Sequence, residues 1–333
     1  MKFSILGAGS WGTTLAQVLV DNGHDVLLYD INEDTLKAIK QGSQPLLDYH
    51  DLPPMKTTNN LKELVGFSHY ILIAIPTAYI RQTLSKINPL LTTKTHFINV
   101  SKGIEPETLK RVSEIVIDEI NENVRGEFCL LAGPSHAEEL ILRQLTMLTA
   151  SSNNLEFAKV VQNAFNNANY LRVYTNNDLI GSEIGGFVKN AIAVAAGIST
   201  GFGYHENARA ALITKGIKEI MDIVDFMGGK KETVFGLTGI GDLIVTASSE
   251  HSRNFKAGVK IGRGENADKV LLESKMVVEG IRSIIAMNFL AQKNNLDLPI
   301  IQTSYKVIKG IFTVEEALNS LLSRELKSES ITF

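Results

Sequence analysis

The chain has 333 residues, longer than one compact core usually organises, so two domains are expected. With 44% hydrophobic and 21% charged residues it has the composition of an ordinary soluble globular protein. A net charge of −3 and the lack of any basic run exclude the electrostatic footprint of nucleic-acid or anionic-membrane binding.

From the N-terminus, a strand over 3–6 runs into Gly7-Ala8-Gly9-Ser10-Trp11-Gly12, and an amphipathic helix follows from Thr13 to about Asp21. Strand, glycine turn and helix in this order are the dinucleotide-binding fingerprint in its required context. Gly7 permits the tight turn, Gly9 lets the backbone approach a pyrophosphate, and Gly12 lets helix and strand pack. The N–H groups and dipole at the helix start then hold the anion. A second strand over 25–29 closes on Asp30, which lies 18 residues beyond Gly12, near the expected offset of roughly 20. An acidic residue there takes the ribose hydroxyls of the adenosine and repels the 2′-phosphate of NADP, so NAD is favoured.

A helix over 33–40 comes next, then a loop over 44–60 containing Pro45, Pro53 and Pro54. Further strands are expected over 70–75, 96–100, 127–131, 146–150 and 170–174, with helices over 78–87, 109–121 and 155–166. Apolar strands alternating with helices predict a parallel, doubly wound sheet. Cys129, the sole cysteine, excludes an intramolecular disulfide and reads as a small buried strand residue.

After about Asn176 strand patterns give way to helices over 184–199, 208–227, 269–272, 278–293, 300–308 and 314–322. Asn207 is the expected N-cap of the second, and Gly228-Gly229 its stop. The expected division is a Rossmann-type α/β domain over 1–175 and an all-helical domain over 176–333, ending in a frayed tail over 327–333. The stretch 184–205 carries Lys189 as its sole formal charge, but five glycines, Asn190, Ser199 and Thr200 mark it as a buried helix rather than a membrane span. Residues 1–6 meet Gly7 before a signal-peptide core can form, so cytoplasmic residence without membrane insertion is expected.

Lys189 is the physical anomaly of the helical half. An ammonium in Gly185-Gly-Phe-Val-Lys189-Asn190-Ala-Ile-Ala loses hydration and needs a partner, the situation in which lysines are recruited for proton transfer. The alternative is a snorkelling side chain. Asn190 is placed to orient a substrate hydroxyl or carbonyl. Lys102 follows a strand end in Ser101-Lys102-Gly103, where a doubly wound sheet faces its ligand. Gly133-Pro134-Ser135-His136-Ala137 follows another strand and is expected to open a helix with Pro134 in its first turn, with His136 a rival general acid. Gly236-Leu-Thr-Gly239-Ile-Gly241-Asp242, Thr246 and Ser252-Arg253-Asn254 form the densest remaining cluster. Asp242 is suited to pair with a buried lysine, and Arg253 offers a planar fork for phosphate.

Taken together, these segments and Val278-Glu279-Gly280 resemble the bacterial type of NAD(P)-dependent glycerol-3-phosphate dehydrogenase, through both halves of the chain. The resemblance implies reversible reduction of dihydroxyacetone phosphate to sn-glycerol 3-phosphate, a glycerophospholipid precursor, with NAD or NADP as cofactor and no metal. It makes Lys189 the proton donor or acceptor, with Asp242 holding it, and puts Lys102 on both cofactor and substrate. It places Ser10, Trp11, Ala137, Val278 and Glu279 on the dinucleotide. Gly133, Ser135, Asn190, Asp242, Thr246, Ser252, Arg253 and Asn254 fall on the substrate, with Arg253 shared with the cofactor. It gives His136 no proton-transfer role. A homodimer is the expected assembly. The chain departs from that family at Ile31, where a basic residue suited to NADP often stands, and at Ala247, where cysteine is common. A related dehydrogenase acting on a 3-hydroxy acid or ketopantoate would use Arg253 for a carboxylate instead. A non-catalytic dinucleotide sensor would not need Lys102, Lys189 and Asp242 together.

Overall fold

Strand β1 (Lys2–Leu6) alternates its side chains between two faces, and from Phe3 onward both faces are buried. Phe3 and Ile5 enter one core with Leu15, Val18 and Leu19, while Leu6 enters a second with Leu64, Leu84 and Ile115. A strand buried on both faces belongs in the middle of a sheet covered by helices on each side. The structure, a computed structural model, describes residues 1–105, 108–249, 252–273, 278–326 and 328–329. Contacts divide the chain into Met1–Leu179 and Ile180–Phe333.

In the first unit β1 is followed by α1 (Ser10–Asp21), β2 (Asp25–Tyr29), α2 (Glu33–Lys40), β3 (Lys56–Thr58), α3 (Leu61–Phe67), β4 (Tyr70–Ile73) and α4 (Ile80–Ile87). Then come β5 (Thr95–Asn99), α5 (Val112–Glu119), β6 (Arg125–Ala132), the single turn α6 (Ala137–Leu140), β7 (Thr146–Ser151), α7 (Leu155–Phe165) and β8 (Leu171–Asn176). The sheet order is β3-β2-β1-β4-β5-β6-β7-β8. Its first six positions follow the doubly wound order, with the topological switch between β1 and β4.

Two features differ from the sequence-based expectation. Strand β7 pairs antiparallel with β6, whereas every other neighbouring pair is parallel. The physical reason is the connection: α6 has four residues, about 6 Å of helix. That is too little to carry the chain back along β6 for a parallel crossover. Within the proline-rich loop, Lys56–Thr58 forms the edge strand β3 beside β2. Boundaries also move: the helix expected from 109 starts at Val112, because Leu109 has a positive φ of 58°.

The second unit is helical. It comprises α8 (Leu179–Gly201), whose first residue closes the preceding unit, α9 (Glu206–Phe226), α10 (Asp242–Ser248), α11 (Arg253–Gly262) and α12 (Ala267–Glu273). The series ends with α13 (Glu279–Asn294), α14 (Pro299–Ile308) and α15 (Val314–Leu322). By length and apolarity α8 could cross a membrane, but 94% of its apolar window is buried inside the chain. It is the core helix of this unit. His205, not Asn207, is the N-cap of α9, and Gly228 follows the helix end with φ 85° as a stop. The expected tail lies outside the described residues except at 328–329.

Helices α8 and α11 run side by side in the same direction, in register every fourth residue. Asn254 meets Asn190. A Cβ on Gly258 would lie 2.2 Å from the Val194 carbonyl oxygen, and one on Gly262 would lie 2.2 Å from that of Ile198. Backbone therefore touches backbone along this seam, a contact that glycine alone allows. The same closeness recurs at the start of α13, where a Cβ on Gly280 would come within 2.4 Å of the Asn190 carbonyl oxygen.

Candidate active site

In the first unit the glycine turn sits at the switch point. Gly7 has φ 113°, and a Cβ there would strike the Ala74 carbonyl oxygen, just beyond β4, at 2.6 Å. A Cβ on Gly12 would fall 2.0 Å from the Gly7 oxygen, so the turn and α1 are packed as closely as backbone permits. Gly9, the N-cap of α1, meets nothing within 4 Å and supplies no side-chain cap to the helix. The N-terminal amides around Ser10 and Trp11 thus lack a side-chain acceptor at the cap, an arrangement that fits a dinucleotide pyrophosphate.

Asp30 belongs to this turn. Its carboxylate accepts from the Ala8 N–H at 2.9 Å through one oxygen and from the Asn32 N–H at 2.9 Å through the other. A carboxylate retains lone pairs beyond two such bonds, so ribose hydroxyls can still donate to it. Ile31 beside it is 84% exposed. Gln44, which sequence reasoning left in a loop, is fully buried and donates to the Ala8 carbonyl at 3.1 Å and to the Thr13 hydroxyl at 2.7 Å. No local pattern announces it, because its partners lie more than thirty residues away.

Lys102 follows β5 and is half-buried, and its carbonyl accepts from the Thr77 hydroxyl at 3.0 Å. The loop beyond it is clamped by Glu105. This buried carboxylate takes Arg81 in a bidentate pair at 2.7 and 2.8 Å and accepts from the Thr108 hydroxyl. The Arg81 guanidinium holds the Glu105 carboxyl below the usual carboxylate range. Gly133 leaves β6 with φ 154°, and the Ser135 hydroxyl donates back to its carbonyl at 3.1 Å. Pro134 precedes the helix rather than entering it, since His136 is the N-cap of α6 and Ala137 its first residue.

In the second unit the structure joins Lys189 to Asp242. Lys189 Nζ donates to Asp242 Oδ1 at 2.8 Å and to Thr246 Oγ1 at 2.5 Å, with the two charged side chains 3% and 1% exposed. Asp242 and Thr246 stand one turn apart on α10, so they share a face. Thr246 donates its own proton to the Asp242 carbonyl at 2.6 Å. Its oxygen therefore acts as acceptor toward the lysine. Despite its glycines, Leu237–Gly241 forms a wide helical turn that runs straight into α10. A Cβ on Gly185 of α8 would stand 3.7 Å from the Cα of Gly239. The Lys189 helix thereby passes close to this turn.

Ser252 caps α11, its hydroxyl accepting from the Phe255 N–H at 3.2 Å. Arg253 is exposed at the first helical position, while Asn254 bonds to Asn190 at 2.9 Å. Val278 is the N-cap of α13 and Glu279 its first residue. Burial pushes the Glu279 carboxyl up to about 7, against the pull of Arg282 and Arg253. Cys129 is buried, and burial raises its thiol far above the reactive range, so it remains a packing residue.

A nucleotide-binding sheet with an open helix cap at its switch point, joined in one chain to a helical unit holding a buried Lys–Asp–Thr cluster, defines a nicotinamide-dependent dehydrogenase. Two family models match in sequence: the NAD-dependent glycerol-3-phosphate dehydrogenase N-terminus over residues 2–158 and its C-terminus over 178–319. The chain belongs to this family. It is 57% identical over 331 residues to glycerol-3-phosphate dehydrogenase [NAD(P)+] of Acholeplasma laidlawii, covering 99% of this chain and 100% of the relative. Its identity to the Staphylococcus haemolyticus protein of the same name is 45%, with 98% and 99% covered. The crystal structure of glycerol-3-phosphate dehydrogenase from Coxiella burnetii superposes with a TM-score of 0.89 at 32% identity, covering 97% and 99% of the two chains.

Proposed function

We propose that the chain catalyses the reversible, NAD(P)-dependent reduction of dihydroxyacetone phosphate to sn-glycerol 3-phosphate. The observation that carries this reading is the buried Lys189 ammonium, held by Asp242 and Thr246 in a chain that also builds a dinucleotide turn. The nicotinamide cofactor, when bound, supplies the hydride to the C2 carbonyl carbon. Lys189 gives a proton to the C2 oxygen as it becomes an alkoxide and takes it back in the reverse direction. Asp242 holds the lysine in its charged form and aims it. Thr246, its hydroxyl already committed to the Asp242 carbonyl, can only receive from the lysine.

Lys102 adds positive charge near the same oxygen and lowers the barrier electrostatically. Arg253, with Ser252 and Asn254, holds the phosphate through its planar fork. Gly133 and Ser135 line the substrate. Ser10, Trp11, Ala137, Val278 and Glu279 contact the dinucleotide, with Arg253 shared. Asp30 favours NAD over NADP by its negative charge at the end of β2. The same reading extends to a cytoplasmic homodimer.

Lys189→Ala decides the matter. We expect kcat with dihydroxyacetone phosphate to drop about 10²–10⁴-fold while NADH binding, followed by fluorescence titration, stays unchanged. A variant that turns over at the parent rate would remove Lys189 from the chemistry and the reading with it.

A further inference from the structure

Asn190 and Asn254 are linked in a chain of hydrogen bonds that has a fixed direction. It starts at the backbone N–H of Gly280, which can only donate, and which lies 2.9 Å from Asn254 Oδ1. The other end of that amide is therefore Nδ2, which can only donate, and it meets Asn190 Oδ1 at 2.9 Å. The oxygen and nitrogen of an asparagine amide are alike in shape, but a backbone donor at one end settles the order for both side chains. Asn190 is consequently left with Nδ2 as its remaining polar atom, and no acceptor among the described residues takes its protons. The residue is 97% buried and adjacent in sequence to Lys189, and its Nδ2 is not sealed inside the chain, so its N–H groups are open to an acceptor from outside. The backbone contact of α13 with α8 preserves the arrangement, since any side chain at position 280 would collide with the Asn190 carbonyl.

We propose that Asn254 is a positioning residue: it locks the Asn190 amide so that Asn190 offers only N–H donors, and thereby requires an acceptor oxygen on the substrate. This rests on the reading of Lys189 and its neighbours as the dihydroxyacetone phosphate site. Ketone, alkoxide and phosphoryl oxygens all satisfy the requirement. Asn254 then influences turnover chiefly through Asn190, in addition to any contact of its own with the phosphate.

The test is a double-mutant cycle in the full chain, reading kcat/KM for dihydroxyacetone phosphate at saturating NADH. Asn254→Asp keeps an acceptor for the Gly280 N–H but cannot donate to Asn190, whose amide then turns round and points its oxygen outward. Asn254→Ala breaks the same link without adding charge. We expect each Asn254 variant, and Asn190→Ala, to lose about 10–100-fold. In the Asn190→Ala background, Asn254→Ala should cost severalfold less than it does in the parent, the remainder being its own contact with the phosphate. Losses that multiply in full would overturn the proposal, because a residue acting only on the phosphate, or on folding alone, keeps its whole effect when Asn190 is gone. A parent chain inert toward dihydroxyacetone phosphate would instead refute the proposed function, and the inference with it.

Discussion

Asp30 has two tasks that pull in one direction. Its oxygens tie the Ala8 and Asn32 N–H groups, which fixes the glycine turn against the end of β2. On the proposed reading, its charge also opposes the 2′-phosphate of NADP. Ile31, by contrast, is almost fully exposed and supports nothing, so it can be changed without loosening the turn. Ile31→Arg should raise kcat/KM for NADPH relative to NADH by about tenfold, since one charge-assisted contact is worth roughly 1.5 kcal/mol. Competing the two cofactors in one assay measures it. A parent chain that already prefers NADPH strongly would show that Asp30 does not read the ribose. At this scale the sequence was informative wherever a residue is anomalous for its surroundings. Lys189 stood out as a charge in an apolar helix, and its partner Asp242 was identified with it. Gln44, Arg81 and Glu105 escaped notice because each is ordinary among its sequence neighbours and acquires meaning only from distant partners.

The seam between α8 and α11 shows what the helical pattern conceals. Glycines at 197, 201, 258 and 262 weaken a helix when read locally. In the structure they are the reason that Lys189 and Asn190 on α8 come close to the elements that serve them. Gly258→Ala should be destabilising by about 1–3 kcal/mol, because its methyl group has no room against the Val194 carbonyl and the helices must separate. A thermal melt beside the parent protein checks it, and an unchanged midpoint would mean that the seam can yield. Strand positions were legible from apolar runs, and most observed bounds lie within two residues of those expected. The antiparallel β7 was not, since direction depends on the path between strands rather than on the strands themselves.

Across the whole chain, the change from alternating strands to helices was plain in the pattern, and the contacts divide after Leu179. Assembly was less legible, but the surface of the helical unit bears on it. Phe202, Phe226, Phe235 and Phe289 are each more than 40% exposed, and Leu272 reaches 86%. Aromatic side chains left in water favour a protein partner. Light scattering of the purified chain should accordingly give about twice its 36.5 kDa mass at micromolar concentration. A mass of one chain throughout that range would count against the dimer.

One property of α8 reaches further than the site it carries. The helix that presents Lys189 and Asn190 is also the most deeply buried element of its unit, so the second unit cannot lose its interior and keep its chemistry. Turnover then doubles as a gauge of folding. An activity trace recorded during slow heating follows the melting of that interior directly, without a dye or a spectroscopic label.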